Sequence, residues 1–162
     1  MENISKPMIF AAKEEILRNV VKTHTAILIE GWTGTGKTVT TLKAVKGMGD
    51  IYYYTETADE DLRHLGQYSD RITVVNKVGA LRDLPAGKQC LVFDDLNRLG
   101  SEARFDLETM IRDRVKGRKV IVITQVVLDA QSILENMDVV VRFKHNTAEV
   151  MHSKLSDMDS LG

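Results

Sequence analysis

One short segment constrains this chain more than any other, because it predicts a local structure together with its neighbours. Residues 31–38 read GWTGTGKT and match the pattern G-x-x-x-x-G-K-[ST] at every fixed position. An apolar run at residues 26–29 precedes the segment, and a helix-compatible run at residues 39–46 follows it. The segment is therefore predicted to form a loop between a buried strand and the N-terminus of a helix.

Such a loop presents backbone N–H groups and the positive end of a helix dipole to a polyphosphate. Lys37 is expected to reach the β and γ phosphates of a nucleotide, and the Thr38 hydroxyl to ligate Mg²⁺. The alternative is a turn rich in glycine and threonine that binds nothing. The predicted nucleotide-binding residues are Gly31, Trp32, Thr33, Gly34, Thr35, Gly36, Lys37, Thr38 and Val39.

Length and composition indicate one globular domain with a substantial core. The chain has 162 residues, of which 43% are hydrophobic and 28% are charged. The formal net charge of -1 excludes a positive field over the whole protein that would attract nucleic acid, although a local strip of basic residues could still contact DNA or RNA. A single cysteine rules out a disulfide within the chain and favours a reducing compartment, most simply the cytoplasm. No apolar stretch approaches the roughly 18 to 20 residues that span a bilayer, so no membrane association is expected.

Strand-like apolar runs alternate with helical patterns along the chain. Strands are predicted at residues 26–30, 51–55, 72–75, 90–93, 119–124 and 139–143, and helices at 7–22, 39–46, 57–67, 101–115 and 128–135, with one or two helical turns at 78–84. Most strands are continuous apolar runs, which is typical of a parallel sheet covered on both faces. We predict a three-layer α/β/α sandwich with a mostly parallel sheet for residues 1–145. Residues 146–162 are predicted to form a C-terminal tail that is either a short helix or frayed.

Carboxylates follow the apolar run at residues 90–93. Asp94 and Asp95 come at its C-terminal end, the edge at which open α/β sheets bind their ligands. Asp94 is in the Walker B position and is expected to hold Mg²⁺, directly or through water, while Asp95 is the first candidate to polarise the attacking water. Glu56 is a rival for that role if the strand at residues 51–55 lies near the phosphate-loop strand. The structural alternatives are a turn or helix cap for the aspartates and a solvated position for Glu56.

Polar and basic residues flank the run at residues 119–124. Gln125, at its C-terminal end, contacts either the γ phosphate or the water in one interpretation, and forms a loop hydrogen bond in the other. The segment before the run is basic and contains Arg112, Arg114, Lys116, Arg118 and Lys119. This segment has three alternative interpretations. It is a solvated helix end with cations at the negative end of the helix dipole, or a strip that contacts DNA phosphates. In the third interpretation it supplies an arginine finger to a neighbouring subunit, with Arg114 or Arg118 the best candidates.

The phosphate loop, the carboxylates Asp94 and Asp95, and Thr124 followed by Gln125 occur in an order that resembles the P-loop ATPases with an additional strand between the phosphate loop and Walker B. These ATPases include the AAA+, RecA/KaiC-like and FtsK/HerA-like groups. The likeness covers roughly residues 26–143.

Three segments resemble three different subgroups of these ATPases. Residues 91–96, LVFDDL, are similar to the Walker B of AAA+ helicase loaders and initiators. Residues 54–56, YTE, before a predicted helix are similar to the RecA/KaiC pattern, in which the glutamate is catalytic. Residues 122–125, VITQ, resemble the strand of FtsK/HerA and viral packaging ATPases that ends in a sensor glutamine. The FtsK/HerA proteins usually have Glu where Asp95 stands in this chain.

The resemblance implies an enzyme that binds and hydrolyses Mg-ATP and that assembles as a homo-oligomeric ring. The first hypothesis is a motor or remodelling ATPase that acts on DNA by translocation, packaging or helicase loading. The alternatives are a nucleotide-dependent switch that does no work on nucleic acid, and a phosphotransferase with a small acceptor. A GTPase is not expected, because Gly79 replaces the aspartate of N-K-x-D and no D-x-x-G follows Asp94.

Overall fold

The fold is centred on a sheet of seven strands. The computed structural model describes residues 6–32, 34–54, 72–75, 90–94, 96, 100–113, 118–125 and 131–151. The strands are β1 (Ala26–Gly31), β2 (Ile51–Tyr54), β3 (Ile72–Val75), β4 (Cys90–Phe93), β5 (Lys119–Thr124), β6 (Val139–Phe143) and β7 (Ala148–Met151). The helices within the described residues are α1 (Lys6–Thr23), α2 (Lys37–Ala44), α3 (Ser101–Asp113) and α4 (Gln131–Leu134).

The order of the strands in the sheet is β3-β2-β4-β5-β1-β6-β7. All neighbouring strands are parallel except β6 and β7, which are antiparallel. Strand β5 therefore lies between β1 and β4. Because the carboxyl ends of parallel strands meet at one edge, the loop after β1, Asp94 after β4 and Gln125 after β5 all lie along the same edge.

Helices cover both faces of the sheet. Apolar residues of α1 and α2 pack with Ile27 and Ile29 of β1 in one core, while those of α3 and α4 pack with Leu28 in a second core. These three β1 residues are all 0% exposed. A strand buried on both faces needs apolar side chains at every position, which explains its continuous apolar run. The predicted three-layer α/β fold with a mostly parallel sheet is confirmed.

Strand β7 differs from the prediction for residues 146–162. Residues Ala148–Met151 form a strand that pairs with β6, instead of a short helix or a frayed end. The backbone N of Lys144 donates to the O of Thr147 at 2.8 Å and closes the turn between the two strands. Ala148 is buried whereas Glu149 and Val150 are both exposed, so the run has no strict alternation of buried and exposed positions that would predict a strand. Residues 152–162 lie outside the described part of the chain.

Most predicted helices agree with the structure where it describes them. Helix α1 matches the prediction for residues 7–22, and α2 ends slightly before the predicted end at residue 46. The predictions at residues 57–67 and 78–84 fall outside the described residues, as do the first three residues of the helix predicted at 128–135. None of the helices that the structure describes is long and apolar enough to cross a membrane.

Candidate nucleotide-binding site

The loop between β1 and α2 has the backbone shape of an anion-binding loop. Gly34 and Gly36 have φ angles of +87° and +84°, in the left-handed region that favours glycine. The backbone N and the Oγ1 of Thr35 both donate to the O of Trp32, at 3.3 and 2.7 Å. Gly36 is the N-cap of α2 and has no side-chain capping bond. The amides of the first helical turn have no acceptor within their helix, so they can donate to an anion. Thr33 lies outside the described residues.

Lys37 begins α2 and turns its side chain back over this loop. Its Nζ donates to the O of Gly31 and to the O of Trp32, the latter at 3.2 Å. The side chain is only partly buried. Phosphate oxygens carry a full charge and are stronger acceptors for an ammonium than these carbonyls. Lys37 is therefore placed where it could bind a phosphate at the mouth of the loop.

Two donors from different elements meet at one carboxylate oxygen of Asp94. The Oγ1 of Thr38, in the first turn of α2, donates to Oδ2 at 3.0 Å, although the two residues are 56 positions apart. The hydroxyl of Tyr53, on β2, donates to the same oxygen. The backbone N of Asp94 donates to the O of Tyr54 at 3.1 Å and holds the start of this segment to the end of β2. The fold thus brings together the predicted metal-binding pair Thr38 and Asp94.

The oxygens of this pair suit magnesium. Mg²⁺ prefers oxygen ligands and is usually held by one or two carboxylates together with substrate phosphates and water. Because the Thr38 hydroxyl points its proton at Asp94, the lone pairs of Oγ1 remain for a cation. Thr38 could ligate Mg²⁺ directly, and Asp94 directly or through water. Within the described ranges no cluster of three or more His, Cys, Asp or Glu side chains could form a separate metal site.

Tyr53 is a site residue that the sequence analysis missed. The aromatic run of β2 favours a strand, and its tyrosines are expected to serve packing. Tyr53 pairs with Val92 of β4, and residues 92 and 94 point to the same face of the sheet. The ring is 3% exposed and joins the core on the α1 and α2 face, which brings its hydroxyl to the Asp94 carboxylate. Only the strand order and the register reveal this position.

Lys13 of α1 contacts the phosphate loop from the buried side. Its Nζ donates to the O of Thr35 at 3.0 Å and to the O of His145, in the turn between β6 and β7, at 3.1 Å. The same Nζ lies 5.8 Å from the ring centroid of Phe10 and 5.4 Å from that of Phe143, within cation–π range. The residue is 1% exposed, and this burial lowers the pKa of Lys13 below its usual value.

The sequence contains a signal for the burial of Lys13. The buried residues of α1 are Lys13, Leu17, Val20 and Val21, which follow the spacing of one helical face. A lysine inside this stripe is buried with the rest of the face. Its two carbonyl partners could not be foreseen, since both lie on other elements.

The remaining predicted residues fall into two groups. Asp95 and Glu56 lie outside the described residues, so their roles stay predictions. Two strands, β4 and β5, lie between β2 and β1 in the sheet, and the end of β2 lies beside Asp94. Gln125 is partly buried and follows Thr124, which pairs with Glu30 of β1. It therefore lies beside the start of the phosphate loop.

Arg118 lies away from the phosphate loop of its own chain, and its role stays a prediction. Arg118 directly precedes β5, whereas the phosphate loop follows the parallel strand β1, so the two lie at opposite edges of the sheet. The residue is 8% exposed. An arginine finger would act on the site of a neighbouring chain, so the position of Arg118 within its own chain leaves that role a prediction. Arg114, the other candidate, lies outside the described residues.

Among the described residues, clefts on two sides of the loop could hold the nucleoside part of a nucleotide. One of about 490 Å³ lies against β6 and is lined by Trp32, Thr35, Glu30, Arg142, Phe143, Lys144 and His145. The other, of about 470 Å³, lies between α1 and α2 and is lined by Pro7, Phe10, Ala11, Glu14, Gly36, Val39, Thr40 and Lys43. Trp32 is 71% exposed, so its ring is open to a stacking partner.

Comparison with known proteins identifies the fold. No family model and no curated protein matches the chain. Among solved structures, it is similar to ATPases 2 and 3 of EssC from Geobacillus thermodenitrificans (TM-score 0.51, 13% identity, covering 74% of this chain and 32% of that one). It is also similar to the RuvB Holliday junction branch migration motor of Thermotoga maritima (TM-score 0.51, 14% identity, covering 87% of this chain and 46% of that one). A third similar structure is a DNA polymerase III gamma subunit-related protein of the same organism (TM-score 0.50, 13% identity, covering 82% of this chain and 46% of that one). The chain spans less than half the length of each. With the loop after β1 and the strand order, these likenesses show the fold of the P-loop NTPases.

Proposed function

We propose that this protein binds and hydrolyses Mg-ATP and that it is a motor or remodelling ATPase acting on DNA. The observation that carries the ATPase proposal is the 3.0 Å hydrogen bond from Thr38 Oγ1 to Asp94 Oδ2. It joins the helix that begins at the phosphate loop to the carboxylate after β4. Mg-nucleotide binding requires these two oxygens at one place, beside an ammonium such as that of Lys37.

Each residue of the site has a proposed role. Lys37 and the amides of the loop hold the β and γ phosphates, while Thr38 and Asp94 hold Mg²⁺. Mg²⁺, when bound, offsets the negative charge of the phosphates. Asp95 orients the water that attacks the γ phosphorus, and the bond to the bridging oxygen breaks to release ADP and phosphate. Glu56 is the second candidate for that role, and Gln125 contacts the γ phosphate or the water.

The proposal of DNA as the polymer is supported by two of the similar structures. One is described as a Holliday junction branch migration motor, and the other as related to a DNA polymerase III subunit. The net charge of -1 means that any DNA contact is confined to a local strip of the surface. The ring-shaped homo-oligomer and the cytoplasmic location belong to the same proposal. Native mass spectrometry with and without ATP tests the ring.

Steady-state ATP hydrolysis, measured with and without single- and double-stranded DNA, tests this function. We expect hydrolysis that DNA stimulates and that Lys37→Ala abolishes. Lys46→Ala is the matched control, because Lys46 is exposed beyond the end of α2 and the substitution removes the same charge away from the loop. Tight nucleotide binding without turnover would instead indicate a switch. Transfer of phosphate to a small acceptor would indicate a kinase.

A second pair of variants assigns the water-orienting carboxylate. Asp95→Asn is expected to stop hydrolysis while nucleotide binding remains, because the amide cannot accept a proton from water. Normal turnover by Asp95→Asn together with an inactive Glu56→Gln would give the role to Glu56.

A further inference from the structure

The hydroxyl of Tyr53 reaches the proposed magnesium site from within the core. The ring is 3% exposed and packs among apolar residues of β1, β4, α1 and α2. Its hydroxyl donates to Oδ2 of Asp94, the oxygen that also accepts from Thr38. A phenylalanine would fill the same apolar space. The hydroxyl therefore has a use beyond packing.

Three regular elements fix this geometry. Tyr53 lies on β2, Asp94 follows the neighbouring strand β4, and Thr38 lies in the first turn of α2. The pairing of Tyr53 with Val92 places the tyrosine and the carboxylate on the face of the sheet that α2 covers. A side chain anchored in a strand interior loses little further freedom when it forms a hydrogen bond, so the contact is pre-organised.

Both donors act on a single oxygen of the carboxylate. Among the described residues, the side-chain hydrogen bonds to Asp94 come from Thr38 and Tyr53, and both go to Oδ2. Two donors on one oxygen fix the rotation of the carboxylate about its Cβ–Cγ bond. The other oxygen, Oδ1, is then presented in one orientation to a metal ion or to a water bound to it.

We propose that Tyr53 is a positioning residue for the magnesium site, acting through Asp94. This inference rests on the proposed binding of Mg-ATP. Residues that orient a metal ligand from outside the coordination sphere typically change metal affinity by about 10- to 100-fold when they are mutated. Loss of the Tyr53 hydroxyl is expected to weaken metal binding about 10-fold, the lower end of that range, since Thr38 still holds Asp94.

The test is a titration of Mn²⁺, as a substitute for Mg²⁺, by electron paramagnetic resonance in the presence of a non-hydrolysable ATP analogue. Tyr53→Phe should bind Mn²⁺ about 10-fold more weakly than wild type. Binding of the analogue in EDTA and the melting temperature should stay close to the wild-type values. Tyr52→Phe is the matched control, because Tyr52 is on the same strand but packs on the opposite face. Its Mn²⁺ affinity should be that of the wild type.

A double-mutant cycle separates positioning from a general structural effect. If Tyr53 acts through Asp94, the loss caused by Tyr53→Phe should disappear in an Asp94→Asn background. An unchanged Mn²⁺ affinity in Tyr53→Phe, or an equal loss in both backgrounds, would overturn the inference. Failure of the wild type itself to bind Mn²⁺ with the analogue would instead refute the proposed function.

Discussion

Two lysine ammonium groups donate hydrogen bonds to the phosphate loop, one at its mouth and one on its buried side. Lys37 is partly buried, and its Nζ contacts the carbonyls of Gly31 and Trp32 at the start of the loop. Lys13 is 1% exposed, and its Nζ contacts the carbonyl of Thr35 near the end of the loop. The two groups have the same chemistry but different access to a ligand.

The difference in access gives the two lysines different roles, one in binding a nucleotide and one in holding the loop. The Lys37 ammonium can exchange its carbonyl partners for phosphate oxygens without leaving solvent. Lys13 cannot leave its carbonyl partners, because a buried ammonium without hydrogen bonds is strongly unfavourable. We infer that Lys37 serves the nucleotide, whereas Lys13 holds the conformation of the loop and ties it to the turn at His145.

Replacing Lys37 by methionine should mainly weaken nucleotide binding, whereas replacing Lys13 by methionine should mainly lower stability. These are the largest effects we expect. Lys37→Met removes a charged donor to phosphate and should weaken nucleotide binding about 100-fold, with an unfolding free energy within about 0.5 kcal/mol of wild type. Lys13→Met leaves the buried O of Thr35 without its donor and should lower the unfolding free energy by about 2 kcal/mol. Its nucleotide affinity should fall by only about 10-fold, because the loop keeps Lys37.

Fluorescence titration of a labelled nucleotide and urea denaturation measure the two quantities on the same samples. The inferred roles would be wrong if Lys13→Met were as stable as wild type while Lys37→Met were destabilised. Equal losses of affinity in both variants would show that the two lysines act on the ligand together.

A pair of glycines tests how closely α1 supports the loop. Gly34 and Gly36 both have positive φ, so alanine at either position should cost about 1 to 2 kcal/mol of stability. A Cβ at Gly36 would lie 2.6 Å from Cε1 of Phe10, the ring next to Lys13, whereas a Cβ at Gly34 would have no atom within 4 Å. Gly36→Ala should therefore cost about 1 kcal/mol more than Gly34→Ala.

Urea denaturation in a Phe10→Ala background supplies the control for this pair. Without the ring the two alanine variants should lose similar amounts of stability. If they already cost the same in the wild-type background, contact between Phe10 and the loop contributes nothing to the support from α1.

The two sides of the loop also differed in how well the sequence predicted them. The residues at the mouth of the loop belong to one contiguous pattern, and Asp94 follows an apolar run, so local sequence was enough to predict where both lie. Lys13 and Tyr53 acquire their roles only through contacts with other elements, which depend on helix docking and strand register. The edge at which Arg118 lies does follow from the sequence, because a residue that directly precedes a parallel strand lies at the edge opposite to the ligand-binding one.

The smallest effect that separates the two lysines is on the pH dependence of stability. Burial lowers the pKa of Lys13 in the folded chain below the ordinary value of 10.5. At a pH between the pKa of Lys13 in the folded chain and its pKa in the unfolded chain, the unfolded chain binds more protons at this site than the folded chain. The contribution of Lys13 to the unfolding free energy therefore rises with pH. Urea denaturation of wild type and Lys13→Met from neutral pH to 10.5 should show a wild-type advantage that grows across this window. An advantage that stays constant or shrinks would mean that the two carbonyls and two rings compensate the ammonium fully for its burial, so that burial alone would no longer distinguish Lys13 from Lys37.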